Sequence, residues 1–134
     1  MPDLRNIELK TVSKVITSET AAINLGGQVA SGQKRWVTFL MIDTAARSRA
    51  SDVVIHMASV SVSNPTKASI VATANRKLLI PMEGTMLSRS NKPRPLIMGE
   101  PGAENPLFSI AGGKWIGIYA SLTTANIFMQ YFDE

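Results

Sequence analysis

The sequence predicts an all-β fold: an antiparallel β-sandwich or barrel, jelly-roll-like, of about eight to ten short strands with little helix. Three observations carry this. Short runs rich in Val, Ile, Thr and aromatic residues recur along the chain, separated by Gly, Pro, Asn and Asp. Helical periodicity is scarce. The runs follow one another at roughly 8–15 residues, the spacing of strands joined by turns. All 134 residues read as one domain, 1–134, with no internal repeat, low-complexity tract or shift in composition.

The first run, "IELKTVSKVIT" (Ile7 to Thr17), puts Ile7, Leu9, Val15 and Thr17 on one face and Glu8, Lys10 and Lys14 on the other. That predicts one covered face and one wet face, with Val12 and Ile16 breaking the alternation at a bulge or a short helix. "TAAINLGG" ends in a glycine pair that signals a turn, and "QVASGQK" leads through Gly32 into the next run. In that run, "RWVTFLMID" (Arg35 to Asp43), strict alternation sends Trp36, Thr38, Leu40 and Ile42 one way and Val37, Phe39 and Met41 the other. "DTAARSRASD" reads as an exposed loop carrying Arg47 and Arg49. "DVVIHMASVSVS" is a strand with Val53, Ile55 and Met57 on one face and Val54, His56, Ala58, Val60 and Val62 on the other, stopped by Asn64-Pro65.

"ASIVATA" and "KLLIPM" read as two further strands joined tightly at Asn75-Arg76. Pro81 has no N–H to donate, so its strand ends there or lies at a sheet edge. The stretch from Glu83 to Pro106 holds four of the seven prolines and reads as a long loop, with "TMLSR" and "PLIM" as short strands inside it. Loops of this length tend to be functional. Arg47, Arg49, Arg89, Lys92 and Arg94 are the partner-contact candidates. "LFSI" then leads through "AGG" to "KWIGIYASL", and "TTA" turns it into "NIFMQYF". This predicts a closing β-hairpin, with Trp115 and Tyr119 opposing Ile116, Ile118 and Ala120, and with Ile127, Met129 and Tyr131 opposing Phe128 and Phe132.

Catalytic chemistry finds little support. There is no cysteine, so disulfides, thiolate metal sites and cysteine nucleophiles are excluded. The single histidine, His56, has no metal-ligand spacing around it. Asp43 and Asp52 flank one loop and could approach each other across its base for acid–base work or calcium, though such residues more often cap a loop or pair with arginines, here Arg47 and Arg49. "AGGKW" lacks the spacing of a phosphate-binding loop, and no Gly-X-Ser-X-Gly is present. No metal, cofactor or catalytic residue is assigned. Trp36, Trp115, Phe128 and Tyr131 offer an aromatic platform for a carbohydrate or small ligand, but they sit inside apolar runs, which favours core or interface.

The net charge of +4 favours acidic partners weakly, and several basic residues, Arg76 and Lys77 among them, fall in segments read as loops. A nucleic-acid partner is not expected. The opening "MPDLRNIELK" is not a signal peptide, and no run approaches the roughly 18 apolar residues of a membrane helix. The expected location is the cytoplasm or an assembled particle such as a virion, without membrane insertion.

The strongest functional signal is the second face of the strands. In a sandwich the outer faces should be polar. Here, whichever face is inner, the other keeps bulky apolar groups. Charged residues make up 18% of the chain, below the roughly 25% of soluble domains. Both observations predict a homo-oligomer that covers an apolar sheet face with another copy, a trimer being preferred. The interface candidates are Val37, Phe39, Met41, Trp115, Tyr119, Phe128 and Phe132.

"GGQVASGQKRWVTFLMID" and "KWIGIYASLTTANIFMQYFDE" together resemble small β-sandwich subunits that assemble on virus or phage particles, including capsid-decoration and head-fibre proteins. The shared features are a glycine turn feeding a long central strand and an apolar closing hairpin. The resemblance implies a structural function: to oligomerise and then bind a larger lattice, with no catalytic residue to carry over. The sequence-based expectation is therefore a non-enzymatic assembly subunit. The alternatives are a carbohydrate- or small-ligand-binding module and an enzyme using His56.

Overall fold

In the computed structural model, residues 7–16, 22–44, 54–81, 96–120 and 125–134 are described. They form β1 (Lys10–Ile16), β2 (Ala22–Asn24), β3 (Lys34–Thr44), β4 (Val54–Val60), α1 (Lys67–Val71), a 3-10 turn (Thr73–Asn75), β5 (Arg76–Pro81), β6 (Leu96–Gly99), β7 (Phe108–Ala111), β8 (Trp115–Ala120) and β9 (Ala125–Asp133). The first sheet has the order β1-β9-β3-β6, with β7 also on β3; the second has the order β2-β8-β4-β5. Every pairing is antiparallel. The sheets stay separate, so the fold is a sandwich and not a barrel. Leu40, Ile42, Ile127 and Met129 of the first sheet meet Ile55, Met57, Ile116 and Ile118 of the second in one buried core.

Two strand readings hold. "PLIM" supplies β6, and Pro81 closes β5 at the edge of its sheet, where a missing N–H is tolerated. Other readings change. In β1 the even positions face inward: Val12 lies opposite Met129 and Ile16 opposite Ala125, while Val15 is 53% exposed. Lys10 and Lys14 share the inward side but sit on the free edge, where their long stems let the ammonium groups reach water.

The predicted hairpin of β8 and β9 does not form. β8 pairs with β2 and β4 in the second sheet, and β9 pairs with β1 and β3 in the first. Each arm is apolar on both sides: α1 covers the outer side of β8, while the outer side of β9 at Phe128 lines an open groove. "TTA" also lacks the Asn-Gly or Gly-X chemistry of a two-residue reversal.

β3 departs from strict alternation. Its register on β9 slips between Val37 and Phe39, leaving Thr38 as a bulge whose hydroxyl donates to the Gln130 carbonyl at 3.2 Å. A bulge reverses the facing of everything beyond it. Arg35 and Val37 therefore point inward, yet Leu40 and Ile42 do so as well. Phe39 and Met41, expected to share a face with Val37, lie on the outside.

The "ASIVATA" stretch is not a strand. Thr66 Oγ1 accepts from the Ser69 N–H at 3.2 Å and Ser69 Oγ accepts from the Thr66 N–H at 3.1 Å, a reciprocal capping box that starts α1. Five residues are too few for helical periodicity to register. Arg76, read as part of a connection, opens β5. Ile70 of α1 is buried against Ala58, Val60 and Tyr119 on the outer face of the second sheet. A methyl group at Gly117 would stand 3.0 Å from Ile70 Cγ1, so glycine lets the helix seat closely.

Arg35 is the principal buried charge among the described residues. Its Nε and one terminal nitrogen donate to the two Asp133 carboxylate oxygens at 2.8 and 2.9 Å, and the other nitrogen donates to the Gly27 carbonyl at 2.7 Å. The guanidinium lies 4.2 Å from the centre of the Tyr131 ring. One side chain thus ties β3, β9 and the turn after β2 together.

Candidate functional site

The two outer faces differ. The second sheet is capped by its own helix. The first sheet is covered only in part: Gly102 N–H donates to the outward Gln130 Oε1 at 2.8 Å, and Trp36 stacks on the fully buried Phe132 with centroids 6.4 Å apart. Among the described residues, nothing else covers this face, and it is apolar and open there. Val15 and Ile97 are 53% and 60% exposed; exposed Met41 pairs directly with Ile97, Val15 lies one row along beside Asn126 and Asp43, and Phe39 and Phe128 are half-buried in an edge-to-face pair at 6.1 Å. A groove of about 480 Å³ runs over Val15, Met41 and Phe128, bordered by Ser13, Lys14, Asp43 and Asn126.

The interface candidates divide accordingly. Phe39, Met41 and Phe128 lie together on this open face. Val37 lies in the core, because the Thr38 bulge turns it inward. Phe132 is under Trp36, and Tyr119 and half-buried Trp115 are under α1, so these three are occupied within the chain. Val15 and Ile97 were missed. Val15 was assigned to the covered side of β1, and Ile97 sat in the short strand "PLIM", for which no facing was assigned. Arg47, Arg49, Arg89, Lys92 and Arg94 lie outside the described residues, as do Asp52 and "TMLSR".

The aromatic platform separates as well. Trp36 and Phe128 are on the outer face of the first sheet, Trp115 is on that of the second, and Tyr131 packs on the core between them. No single ligand spans all four.

His56 lies on the outer face of the second sheet, 5.9 Å from the Tyr119 ring with which it pairs in register. Lys67 Nζ stands 5.3 Å from the centre of the same ring. Burial, then the cations of Arg76 and Lys67, hold the His56 pKa below its usual 6.5. Asp43 is exposed on the opposite sheet, with the core between them, so the two do not form an acid–base pair. No cluster of three or more His, Cys, Asp or Glu residues exists among the described residues. The lowered pKa has a stability consequence. The unfolded chain binds this proton more readily, so stability is full above the unfolded pKa and is lost as pH falls through the folded one. Melting temperature should drop on acidification from about pH 7 to about pH 5, and His56→Gln should flatten that slope. Identical slopes for the two proteins would contradict this.

No family model matches the sequence, and no curated protein matches it. Among solved structures, a chain of the cyanophage Pam1 capsid asymmetric unit is similar at 8% identity and a TM-score of 0.45, over 95% of this chain and 84% of that one. A likeness of that size carries no argument about function. No helix among the described residues is long and apolar enough to cross a membrane.

Proposed function

We propose that the chain is a non-enzymatic structural subunit that buries the outer face of its first sheet against another copy, as a component of a larger particle. The observation that carries this is the open strip of Val15, Met41 and Ile97 with Phe39 and Phe128 beside it. Fully burying one side chain of this kind stabilises by about 1.5–3 kcal/mol. The contrast within the molecule supports the reading: the second sheet spends a helix on covering its outer face, and the described residues cover the first sheet only around Trp36 and Phe132. The wrap adds support by analogy. With β7 set aside, the orders β1-β9-β3-β6 and β2-β8-β4-β5 are compatible with two four-stranded sheets wrapped as in a jelly roll, an architecture used in viral capsids and also in lectins.

Val15→Lys/Ile97→Lys should leave the fold intact and the unfolding free energy of the single chain within about 1 kcal/mol of the original, and shift the sedimenting species to monomer. Unchanged assembly in that variant would overturn the proposal. A second reading, a small-ligand module, is favoured by the groove itself, where Asp43 and Asn126 border Phe128. It requires a monosaccharide or similar ligand to raise the melting temperature, and Phe128→Ala to abolish the rise.

A further inference from the structure

An open sheet ends in strands whose outward N–H and C=O groups are unpaired, and each such edge accepts a strand from another molecule unless something blocks it. The two sheets have four edges among the described residues. In the second sheet one edge is β2, three residues long. The other is β5, whose register on β4 shifts between Met57 and Ala58 and which ends at Pro81. The far edge of the first sheet is split, with β7 on Lys34–Val37 and β6 on Phe39–Ile42, four residues each. Short, irregular or proline-ended edges give an incoming strand little to pair with.

β1 differs. It has seven residues, none of them glycine or proline, and an unbroken register on β9. No strand lies on its other side among the described residues, and Lys10, Thr11, Ser13, Lys14 and Val15 are exposed. Lys10 pairs with Tyr131 and Lys14 with Ile127, and both of those pack into the core, so the two lysines stand on the inward side of the strand.

We infer that Lys10 and Lys14 guard this edge: they keep β1 from pairing with β1 of another copy and leave the open face as the surface through which copies meet. The second half of that statement rests on the proposed self-association; the guarding does not. Two copies of β1 pair over their whole length when they run antiparallel about Ser13, with Lys10 opposite Ile16 and Lys14 opposite Val12 of the second copy. Opposed residues share a face, so the two lysines of each copy gather on the inward side, over the core. At an open edge their stems bend out to water. An added strand closes that way out, and a charge held from water without a partner is costly. Shifting the pairing to centre on Val12 sets Lys10 directly against Lys14, and like charges opposite each other destabilise a strand pair.

Lys10→Thr/Lys14→Val removes the guard and lowers the net charge from +4 to +2; Lys10→Glu/Lys14→Glu keeps a charge at both positions and lowers it to zero. Sedimentation at micromolar concentration and amide hydrogen exchange along β1 read the outcome. Alternate N–H groups of β1 point away from β9 and exchange freely at an open edge. In the Thr/Val variant the sedimenting mass should double and those amides should slow at least about tenfold, while the Glu/Glu variant should match the original chain in both. Should the Thr/Val variant lose its cooperative melt, Lys14→Thr alone carries the same comparison with a smaller gain. A Thr/Val variant and a Lys14→Thr variant that sediment and exchange like the original would overturn the inference. So would a Glu/Glu variant that gains the same mass, because net charge rather than the edge would then be the cause. If the original chain is a monomer and the Thr/Val variant a dimer, the guarding stands and the proposed self-association fails.

Discussion

Arg35→Met lowers the unfolding free energy by about 3 kcal/mol or more, measured by urea denaturation. The side chains of Arg35 and Asp133 are 5% and 13% exposed, so deleting the guanidinium leaves a carboxylate largely out of water with no cation beside it. It also removes the donor to the Gly27 carbonyl and the cation over Tyr131. The double variant Arg35→Met/Asp133→Leu recovers much of the loss, because removing both members of a buried pair is far less harmful than removing one. A loss below about 1 kcal/mol in the single variant would mean that the pair does not hold β3 to β9.

Gly99→Ala has an effect of similar size, about 3 kcal/mol or more. Gly99 ends β6 at a φ of +78°, and a Cβ there would stand 2.2 Å from the Thr38 carbonyl oxygen. That oxygen belongs to the bulge of β3, so relief requires shifting either β3 against β9 or β6 against β3. Gly32 separates the two causes. It has a φ of +82° with open space around its Cβ position, so Gly32→Ala carries only the backbone term of about 1–2 kcal/mol. Equal losses at the two sites would show that the close approach to Thr38 contributes nothing.

The all-β class was legible because β1, β3, β4, β8 and β9 contain adjacent β-branched or aromatic residues, and β5 and β6 are short apolar runs. The facing of those strands was legible only where alternation is unbroken. In β9, Ile127, Met129 and Tyr131 oppose Phe128 and Phe132 as expected, and in β8 Trp115 and Tyr119 oppose Ile116 and Ile118. In β3 the bulge at Thr38 separates Val37 from Phe39 and Met41, and nothing in "RWVTFLMID" marks it. Thr38 is an ordinary strand residue whose extra position is set by what β9 offers opposite. Sheet membership was illegible too. Both arms of the closing segment are apolar on two sides, which says that both are inner strands but not that they enter different sheets.

The helix was hidden by its brevity. One and a half turns give no period, and Ile70-Val71 in "ASIVATA" looks like strand. The signal that would have found it is Thr66 and Ser69 three residues apart after Pro65, a box that satisfies two early N–H groups. That helix resolves half of the question raised by the two-sided strands, because it supplies the cover for Ala58, Val60 and Tyr119 from within the chain. The other half, the strip at Val15, Met41 and Ile97, is where the assembly reading now rests.

Sedimentation velocity of the purified chain over a concentration series at micromolar level tests that reading most directly. The account predicts a sedimenting species larger than one chain, collapsing to a single chain when lysine replaces Val15 and Ile97. A species of one chain at every concentration, in a protein that stays dissolved with that strip in water, would contradict it.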